Sequence, residues 1–205
     1  MQAQIGRPKD LIKKQRILDS AKALFLSHGY QGSSMQKIAA HAGVSKLTLY
    51  SHFEDKAHLF TYAVSDTCEQ LLNPEFIQLK HPEDFLQQLQ QMACISLNVI
   101  YLPEAMKLDY LLLNLAAERN PLSAQFYAAS HGKMRHMWSE FFQQAMQLNC
   151  LKIQATEHYV NLWNMLLLGA RHHEVLLTVR AVPNAEEQKQ IAQCAIQQFL
   201  SLSHL

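Results

Sequence analysis

Glycine and proline are scarce in this sequence, with six of each among 205 residues. Turn-rich β-sandwiches and barrels need more of both, so their scarcity disfavours an all-β fold and favours an all-α chain. Long apolar runs are also missing, because the densest one, Leu108–Ala117, is interrupted by Asp109 and Asn114. A membrane-spanning helix needs about 18 or more such residues, and the sequence therefore predicts none.

Cysteine pairs are absent as well. The four cysteines lie far apart and no two form a CxxC pair: Cys68, Cys94, Cys150 and Cys194. This spacing disfavours a zinc module and provides no disulfide framework, so we expect reduced thiols in a cytoplasmic protein. The first sixteen residues, MQAQIGRPKDLIKKQR, are charged and lack the apolar segment of a signal peptide, which favours the same location.

Charge is distributed unevenly along the chain. Residues 1–60 carry nine basic and four acidic side chains, a formal charge of +5, whereas the remaining residues carry nine basic and thirteen acidic ones, a formal charge of −4. A basic head on an acidic body is the asymmetry expected when only one end of a protein meets phosphate. Apolar residues make up 49% of the chain and charged residues 17%, which is typical of a globular protein.

The spacing of apolar residues predicts about nine helices and no strand of useful length. Their expected bounds are about 10–27, 35–42, 46–52, 55–72, 82–101, 104–119, 121–148, 155–179 and 184–203. Either Ser33 or Ser34 can cap the second of them. We divide the chain into a three-helix N-terminal domain, residues 1–54, and a larger helical domain, residues 55–205.

The segment MQKIAAHAGVSKLTLYSHFEDK has the spacing of a helix-turn-helix for steric reasons. Ala39 is small where two helices would cross closely, and Gly43 allows a turn with positive φ. Val44 and Leu49 would then fill the angle between the helices. The second helix is left with four side chains that can face outward: Lys46, Leu47, Thr48 and Tyr50. Such a helix enters the major groove of DNA by its N-terminal end.

Two stretches resemble a known family. Residues 6–60 contain GRP, ILDSAKALFLSHGY and IAAHAGVSKLTLYSHFEDKAHLF and closely resemble the DNA-binding domain of TetR-type repressors. Residues 108–130, LDYLLLNLAAERNPLSAQFYAAS, are similar to the regulatory domain of the AefR-like subgroup. The resemblance implies a cytoplasmic homodimer of nine-helix subunits. On this resemblance, residues 1–54 are a helix-turn-helix DNA-binding domain and residues 55–205 an effector-binding and dimerisation domain. The last two helices of each subunit would form the dimer bundle, and a bound effector would release the DNA.

The resemblance also implies roles for single residues. The family pattern places phosphate contacts at Tyr50, His52 and Lys56 and a helix cap, with phosphate nearby, at Ser34 or Ser33. The alternatives are that Tyr50 only packs on the first helix and that Lys56 is a solvated charge. A phenol, an imidazole and an ammonium group can each donate to a phosphate oxygen.

Lys46 and Leu47 are the candidates for reading the base sequence. Leu47 is unexpected, because the family commonly has a small residue there. It either lies against a thymine methyl group or packs beside the N-terminal arm. Arg7, in GRP, resembles an arm that reaches into the minor groove, and the alternative is a solubilising tail.

The middle helices are where the resemblance places an effector cavity. Six residues with polar tips or adaptable side chains are the candidates for lining it: Tyr110, Asn114, Tyr127, Met134, Trp138 and Asn164. The aromatic and methionine stripe of the helix predicted over 121–148 is equally the pattern of ordinary core packing, which stays the alternative. Few charges surround these residues, so we expect an apolar or amphipathic effector held by one or two hydrogen bonds.

Metal and catalytic patterns are missing from the sequence. Adjacent histidines such as His172 and His173 diverge by about 100° on a helix and cannot face one ion together. The sequence contains no GxSxG motif, phosphate-binding loop or dinucleotide fingerprint. We therefore expect no metal, no cofactor, no catalytic residue and no enzymatic activity.

The helix predicted over 184–203 carries an unusually wide apolar face. One stripe and its neighbour together comprise Ile191, Ala195, Phe199 and Leu202 with Ala192, Ile196 and Leu200. This face is wider than a helix lying on its own domain needs, which predicts a dimer interface. The sequence thus predicts a ligand-responsive regulator, a homodimer that represses by binding a double-stranded DNA operator, with activation as an open alternative. A helical protein-binding adaptor and, last, an enzyme are the rival classes.

Overall fold

The computed structural model describes residues 8–71 and 78–203, and within them the protein is helical with no strand. Its eleven α-helices are α1 (Pro8–Gly32), α2 (Met35–Ala42), α3 (Lys46–His52), α4 (Lys56–Leu71), α5 (Phe85–Ile100), α6 (Pro103–Ala117), α7 (Leu122–Ala129), α8 (His131–Gln147), α9 (Thr156–Leu167), α10 (Gly169–Leu176) and α11 (Ala185–Leu202). A 3-10 turn, Pro82–Asp84, precedes α5. No helix in the described ranges is long and apolar enough to cross a membrane. The all-α prediction is confirmed.

Two breaks account for the difference between about nine predicted helices and eleven observed ones. The stretch 121–148 breaks at Ser130, whose φ of −116° and ψ of −86° are not helical. The stretch 155–179 breaks at Gly169, which has a φ of +52°. Neither break lies at a proline, the clearest mark of a helix boundary in a sequence, and the prediction missed both. Just past the predicted end of the first helix at about residue 27, Gly29 has non-helical angles, φ +70° and ψ 174°, and α1 continues beyond it across a kink.

The head, α1 to α4, has its own apolar core, to which the body contributes. Ile17, Ile38 and Leu49 are fully buried there. Phe126 of α7 is also fully buried in this core, with its ring centroid 4.5 Å from that of Phe60 and 5.3 Å from that of Tyr30. The body is therefore joined to the head by a side chain inserted into the aromatic cluster between α1 and α4.

The body, α5 to α11, is built around a second, strongly aromatic core. Trp138, Phe142, Tyr159, Trp163 and Phe199 are at most 1% exposed and lie ring against ring. Such rings bury large apolar areas and stabilise the cluster further through their edge-to-face geometry. This core fixes α8, α9 and α11 against each other.

The wide apolar face of α11 is used mainly inside the subunit. The helix packs against both α5 and α9, and the side chains that it buries between them are Ile191, Ala192, Ala195 and Phe199. Ile196 and Leu200 are left half-buried, and Leu202 is 52% exposed. Two neighbouring helices, rather than one, explain most of the width that the sequence attributed to a dimer interface.

Candidate nucleic-acid interface and effector region

The turn between α2 and α3 depends on a glycine. Gly43 has a φ of +62° and a ψ of 39°, a left-handed conformation that residues with a Cβ adopt only at a cost. A Cβ at this position would lie 2.7 Å from Nη2 of Arg16, which donates a hydrogen bond of 2.6 Å to the carbonyl of Ala42. The predicted turn is therefore present, and the Arg16 side chain joins α1 to the end of α2, where the turn begins.

Serine side chains begin both helices of the motif. Ser34 Oγ accepts a hydrogen bond from Lys37 N (3.2 Å), and Ser45 Oγ accepts one from Thr48 N (3.1 Å). Ser33 is buried and donates instead to the carbonyl of Gly29 at 2.8 Å. Of the two serines considered from the sequence, Ser34 is thus the cap of α2, because its hydroxyl faces the free N–H groups of the first turn.

The outer face of α3 is open to solvent. Leu47 is 82% exposed and Tyr50 50% exposed, and Lys46 is exposed beside them. Thr48 is half-buried, with its hydroxyl 2.9 Å from that of Ser45, so it belongs to the cap as much as to the surface. The opposite face is anchored by Leu49, which has no exposed area. The helix therefore presents two polar or charged groups and one large apolar side chain to solvent, and their contact with a groove of DNA stays a prediction.

Lys56 is not a freely solvated charge. Its Nζ donates to the carbonyls of Tyr30 (3.0 Å) and Ser33 (3.2 Å) and lies 4.2 Å from the centroid of the Tyr30 ring. Partial burial lowers the pKa of this lysine. A cation among the last carbonyls of a helix is favoured by the helix dipole, so Lys56 stabilises the α1–α2 junction. Its phosphate contact stays a prediction.

The other two predicted DNA contacts differ in their surroundings. The side chain of His52 is only 10% exposed, and its Nε2 lies 3.1 Å from a carboxylate oxygen of Asp10. The imidazole is therefore turned towards the start of α1. Arg7, the predicted minor-groove arm, lies outside the described residues.

The six predicted effector residues occupy different environments. Trp138 is 1% exposed, and its ring centroid lies 4.9 Å from that of Trp163, so the alternative of core packing describes it. Met134 is half-buried against the same core. Tyr110 donates from its hydroxyl to the carbonyl of Leu176 (2.9 Å). The remaining three are exposed or half-buried: Asn114, Tyr127 and Asn164.

A depression of about 600 Å³ lies elsewhere in the body, between the α9–α10 break and α11. Its lining includes Leu166, Gly169, Arg171, Glu187 and Cys194 and none of the six predicted residues. The three helices that line it, α9, α10 and α11, belong to the part of the chain that the sequence assigned to dimerisation.

Sequence reasoning missed a polar cluster formed by side chains of α6, α8 and α10. Asp109 of α6 is 7% exposed, and its carboxylate oxygens lie 2.9 Å from Nε2 of His131 and 3.6 Å from Nε2 of His172. His173 is exposed, so the two adjacent histidines do diverge. No group of three or more metal-ligating side chains in the described residues could hold an ion. An aspartate within the apolar run Leu108–Ala117 was the available signal for this cluster.

Two family profiles match the chain. Residues 17–63 match the bacterial regulatory proteins of the tetR family, and residues 87–202 match the C-terminal domain of AefR-like transcriptional repressors. An HTH-type transcriptional regulator of Staphylococcus aureus (strain bovine RF122 / ET3-1) is 31% identical over 137 residues, which are 66% of this chain and 65% of the relative. The match therefore spans slightly less than two thirds of the relative's length.

Solved structures share the fold over nearly the whole chain. A TetR-family transcriptional regulator from Mesorhizobium loti superposes with a TM-score of 0.78 at 25% identity and covers 96% of this chain and 98% of its own. A TetR regulator from Agrobacterium tumefaciens has the same TM-score at 18% identity, with 93% of each chain covered. The flavonoid-responsive regulator FrrA has a TM-score of 0.72 at 23% identity, covering 93% and 96%. Since the AefR-like profile alone covers more than half of the sequence, the protein belongs to the TetR family of transcriptional regulators and carries its helix-turn-helix DNA-binding domain.

Proposed function

We propose that the protein is a cytoplasmic, homodimeric repressor that binds a double-stranded DNA operator through α3 and leaves it when a small effector binds the body. The observation that carries this proposal is the outer face of α3, where Lys46, Leu47 and Tyr50 are exposed on a helix whose other face is buried. An exposed leucine gains nothing from the protein's own core. Against the methyl group of a thymine it would bury apolar surface and read a base.

The proposed contact between Leu47 and a thymine can be tested by removing single methyl groups from the DNA. Binding of the wild-type protein to the DNA upstream of its own gene is measured by fluorescence polarisation, with each thymine replaced in turn by deoxyuridine. Loss of one critical methyl should weaken wild-type binding several-fold and leave Leu47→Ala unaffected at that position. The matched control is Leu86→Ala, a leucine of the body that is 52% exposed. If each deoxyuridine substitution affected binding of the wild type and of Leu47→Ala equally, the contact would be refuted. If the wild type showed no salt-dependent binding to DNA, the proposed operator would be refuted.

The dimer is supported by exposed apolar surface on α9 and beside α11. Met165 is 72% exposed, and Leu162 and Leu166 on the same side of α9 are half-buried. Across the depression, Cys194 of α11 is exposed. A second copy packed on this side would cover all four side chains and set the two α3 helices about one turn of DNA apart, roughly 34–36 Å.

Met165→Glu tests the dimer, because it places a charge in the middle of that side. We expect sedimentation to show a monomer at micromolar concentration and Cys194 to react faster with a thiol reagent. Ile153→Glu, a change of an 86% exposed residue in the α8–α9 connection, is the control and should leave both readouts unchanged. A Met165→Glu protein that stays dimeric would place the interface elsewhere.

The effector remains the least specified part of the proposal. The family profile of an AefR-like repressor and a flavonoid-responsive regulator of the same fold support a small-molecule ligand. Of the six candidates, Tyr127 and Asn114 are exposed enough to meet a ligand without repacking, whereas Trp138 is not. An effector that favours one state of the dimer would weaken DNA binding by about 1–3 kcal/mol of coupling.

Of the rival hypotheses, that of an enzyme is rejected, because the matching family and relatives are transcriptional regulators. A protein-binding adaptor whose helix-turn-helix does not bind DNA would differ from a regulator in one measurement, because it would show no salt-dependent binding to DNA. Reporter expression in the presence and absence of the protein separates repression from activation.

A further inference from the structure

The depression between the α9–α10 break and α11 has the size of a small-molecule site. Its volume of about 600 Å³ lies within the range of roughly 300–1,000 Å³ that ligand pockets usually have. Gly169 turns the chain at the break with a φ of +52°. Among the described residues, a Cβ at this position would meet no atom within 4 Å outside its own helix and chain neighbours. The break therefore leaves open space beside α11, and residues of a single chain line it.

Part of this lining is apolar. Ile191 of α11 is 7% exposed, and Pro183, just before α11, is buried. Leu166 of α9 and Leu168 at the break are half-buried on the other side of the depression. A hydrocarbon chain or ring placed between them would leave water together with the surfaces that it covers, which is favourable.

Two arginines, Arg171 of α10 and Arg180 of the α10–α11 connection, also line the depression. Burial raises the pKa of Tyr101, and the positive charges of Arg171 and Arg180 both oppose that rise. The two guanidinium groups therefore lie near the same buried phenol rather than at opposite ends of the lining. Positive charge is thus concentrated at the α10 side of the depression, next to its apolar part.

Arg171 is the charge of the lining that has no partner. Arg180 donates from Nε to a carboxylate oxygen of Glu174 at 2.6 Å. The carboxylate of Glu187, which also lines the depression, accepts from the backbone N–H of Asn184 at 2.8 Å as part of the capping box of α11. The lysine and arginine ion pairs of the described residues do not include Arg171, although its side chain is half-buried. A partly desolvated cation of this kind is stabilised by an anion.

We propose that the depression binds an amphipathic anion, a carboxylic acid that carries an apolar chain or ring. The guanidinium of Arg171 binds the carboxylate, for which its planar pair of donors is suited, and Leu166, Leu168 and Ile191 cover the apolar part. A neutral ligand would leave the charge of Arg171 unpaired, and a cation would be repelled by it. This site contains none of the six residues that the sequence predicted for an effector.

The position of the depression connects its occupant to the dimer. Leu166 and Cys194 line it and also belong to the side of α9 and α11 on which we propose that a second copy packs. A ligand placed there changes the surface that the second copy meets, and thereby the spacing of the two α3 helices. This consequence for DNA binding rests on the proposed function, whereas binding of the anion does not.

Titration calorimetry with octanoate and octan-1-ol tests the charge, because the two compounds have the same apolar chain. Octanoate should bind the wild type about tenfold more tightly than octan-1-ol, as expected for a hydrogen bond between charged groups. Arg171→Gln should lose this preference and still bind octan-1-ol, which also shows that the variant is folded. Lys189→Gln is the matched control, since it removes one positive charge from an exposed position of α11 outside the lining. No binding of octanoate, no preference for it in the wild type, or an equal loss in both variants would overturn the proposal.

Alkylation of Cys194 tests the location, because this exposed thiol lies in the lining. Octanoate should slow its reaction with N-ethylmaleimide several-fold, with half the effect at the dissociation constant from calorimetry, as followed by mass spectrometry of the peptides. The reaction of Cys150, which lies outside the lining, should not change. Protein concentrations are chosen at which sedimentation gives the same mass with and without octanoate. Unprotected Cys194 in the presence of bound octanoate would place the ligand elsewhere and overturn the proposal.

Binding to the upstream DNA tests the consequence for the dimer. Saturating octanoate should weaken binding threefold or more in the wild type and in Lys189→Gln, and less at the same concentration in Arg171→Gln. DNA affinity that octanoate leaves unchanged in the wild type would overturn the effector role of this site. Absence of DNA binding in all three proteins without octanoate would instead refute the proposed function, and calorimetry and alkylation would still decide the site.

Discussion

Replacing Gly43 by alanine perturbs the turn of the helix-turn-helix in two separable ways. The residue has a φ of +62°, and an L-residue with a Cβ loses about 1–2 kcal/mol in the left-handed region. The new Cβ would also meet Nη2 of Arg16 at 2.7 Å. Because that nitrogen ends a flexible side chain, it can move away, and the cost is its hydrogen bond to the carbonyl of Ala42, worth about 0.5–1.5 kcal/mol. Gly43→Ala should therefore lower the free energy of unfolding by about 1.5–3.5 kcal/mol.

Urea unfolding followed by circular dichroism measures this loss, and two further variants divide it. Gly169→Ala has a comparable φ of +52° but no atom within 4 Å of the new Cβ, so it should lose only the backbone part. In Arg16→Ala the hydrogen bond is already absent, so adding Gly43→Ala should cost about 1 kcal/mol less than in the wild type. Additivity of the two changes would refute the role of Arg16. A total loss for Gly43→Ala well below 1 kcal/mol would refute the need for a positive φ at the turn.

Three more predictions concern single contacts. Lys56→Ala should lower the free energy of unfolding by about 1–2 kcal/mol, because two carbonyls lose their donor, whereas Lys46→Ala should leave it unchanged. If Lys56 also contacts phosphate, Lys56→Ala but not Lys46→Ala should flatten the salt dependence of DNA binding. Asp109→Asn should lower the free energy of unfolding above about pH 4, where the carboxylate is ionised. The pKa of Asp109 is lowered in the folded state, so the difference in free energy of unfolding between the variant and the wild type should close as pH falls through this folded pKa, as acid titration of unfolding measures. Phe126→Ala should lower the free energy of unfolding by about 3–5 kcal/mol and lower DNA affinity by loosening the head from the body, with the exposed Leu113→Ala as control. Unchanged stability of Phe126→Ala would refute the anchor.

Local chemistry was sufficient to predict the DNA-binding motif. Ala39 marks where the two helices cross, Gly43 where the chain turns, Ser45 where the second helix begins and Leu49 where it packs. Each of these properties depends on a residue and its immediate neighbours. The scarcity of glycine and proline likewise sufficed for the all-α class, and the motif sufficed for the family. Local patterns determine backbone conformation and the faces of helices, and the helix-turn-helix consists of little else.

Tertiary packing decided what each side chain touches. Two helices cover α11, so its wide apolar face does not by itself mean a dimer, and the rings around Trp138 make it core rather than pocket. The helix breaks at Ser130 and Gly169 lie at non-helical or left-handed backbone conformations that no proline marks in the sequence. Asp109 is buried only because α8 and α10 bring imidazoles to it from residues 131 and 172, far along the chain. A buried charge is tolerated only with such partners, and the partners are a property of the fold rather than of any local segment.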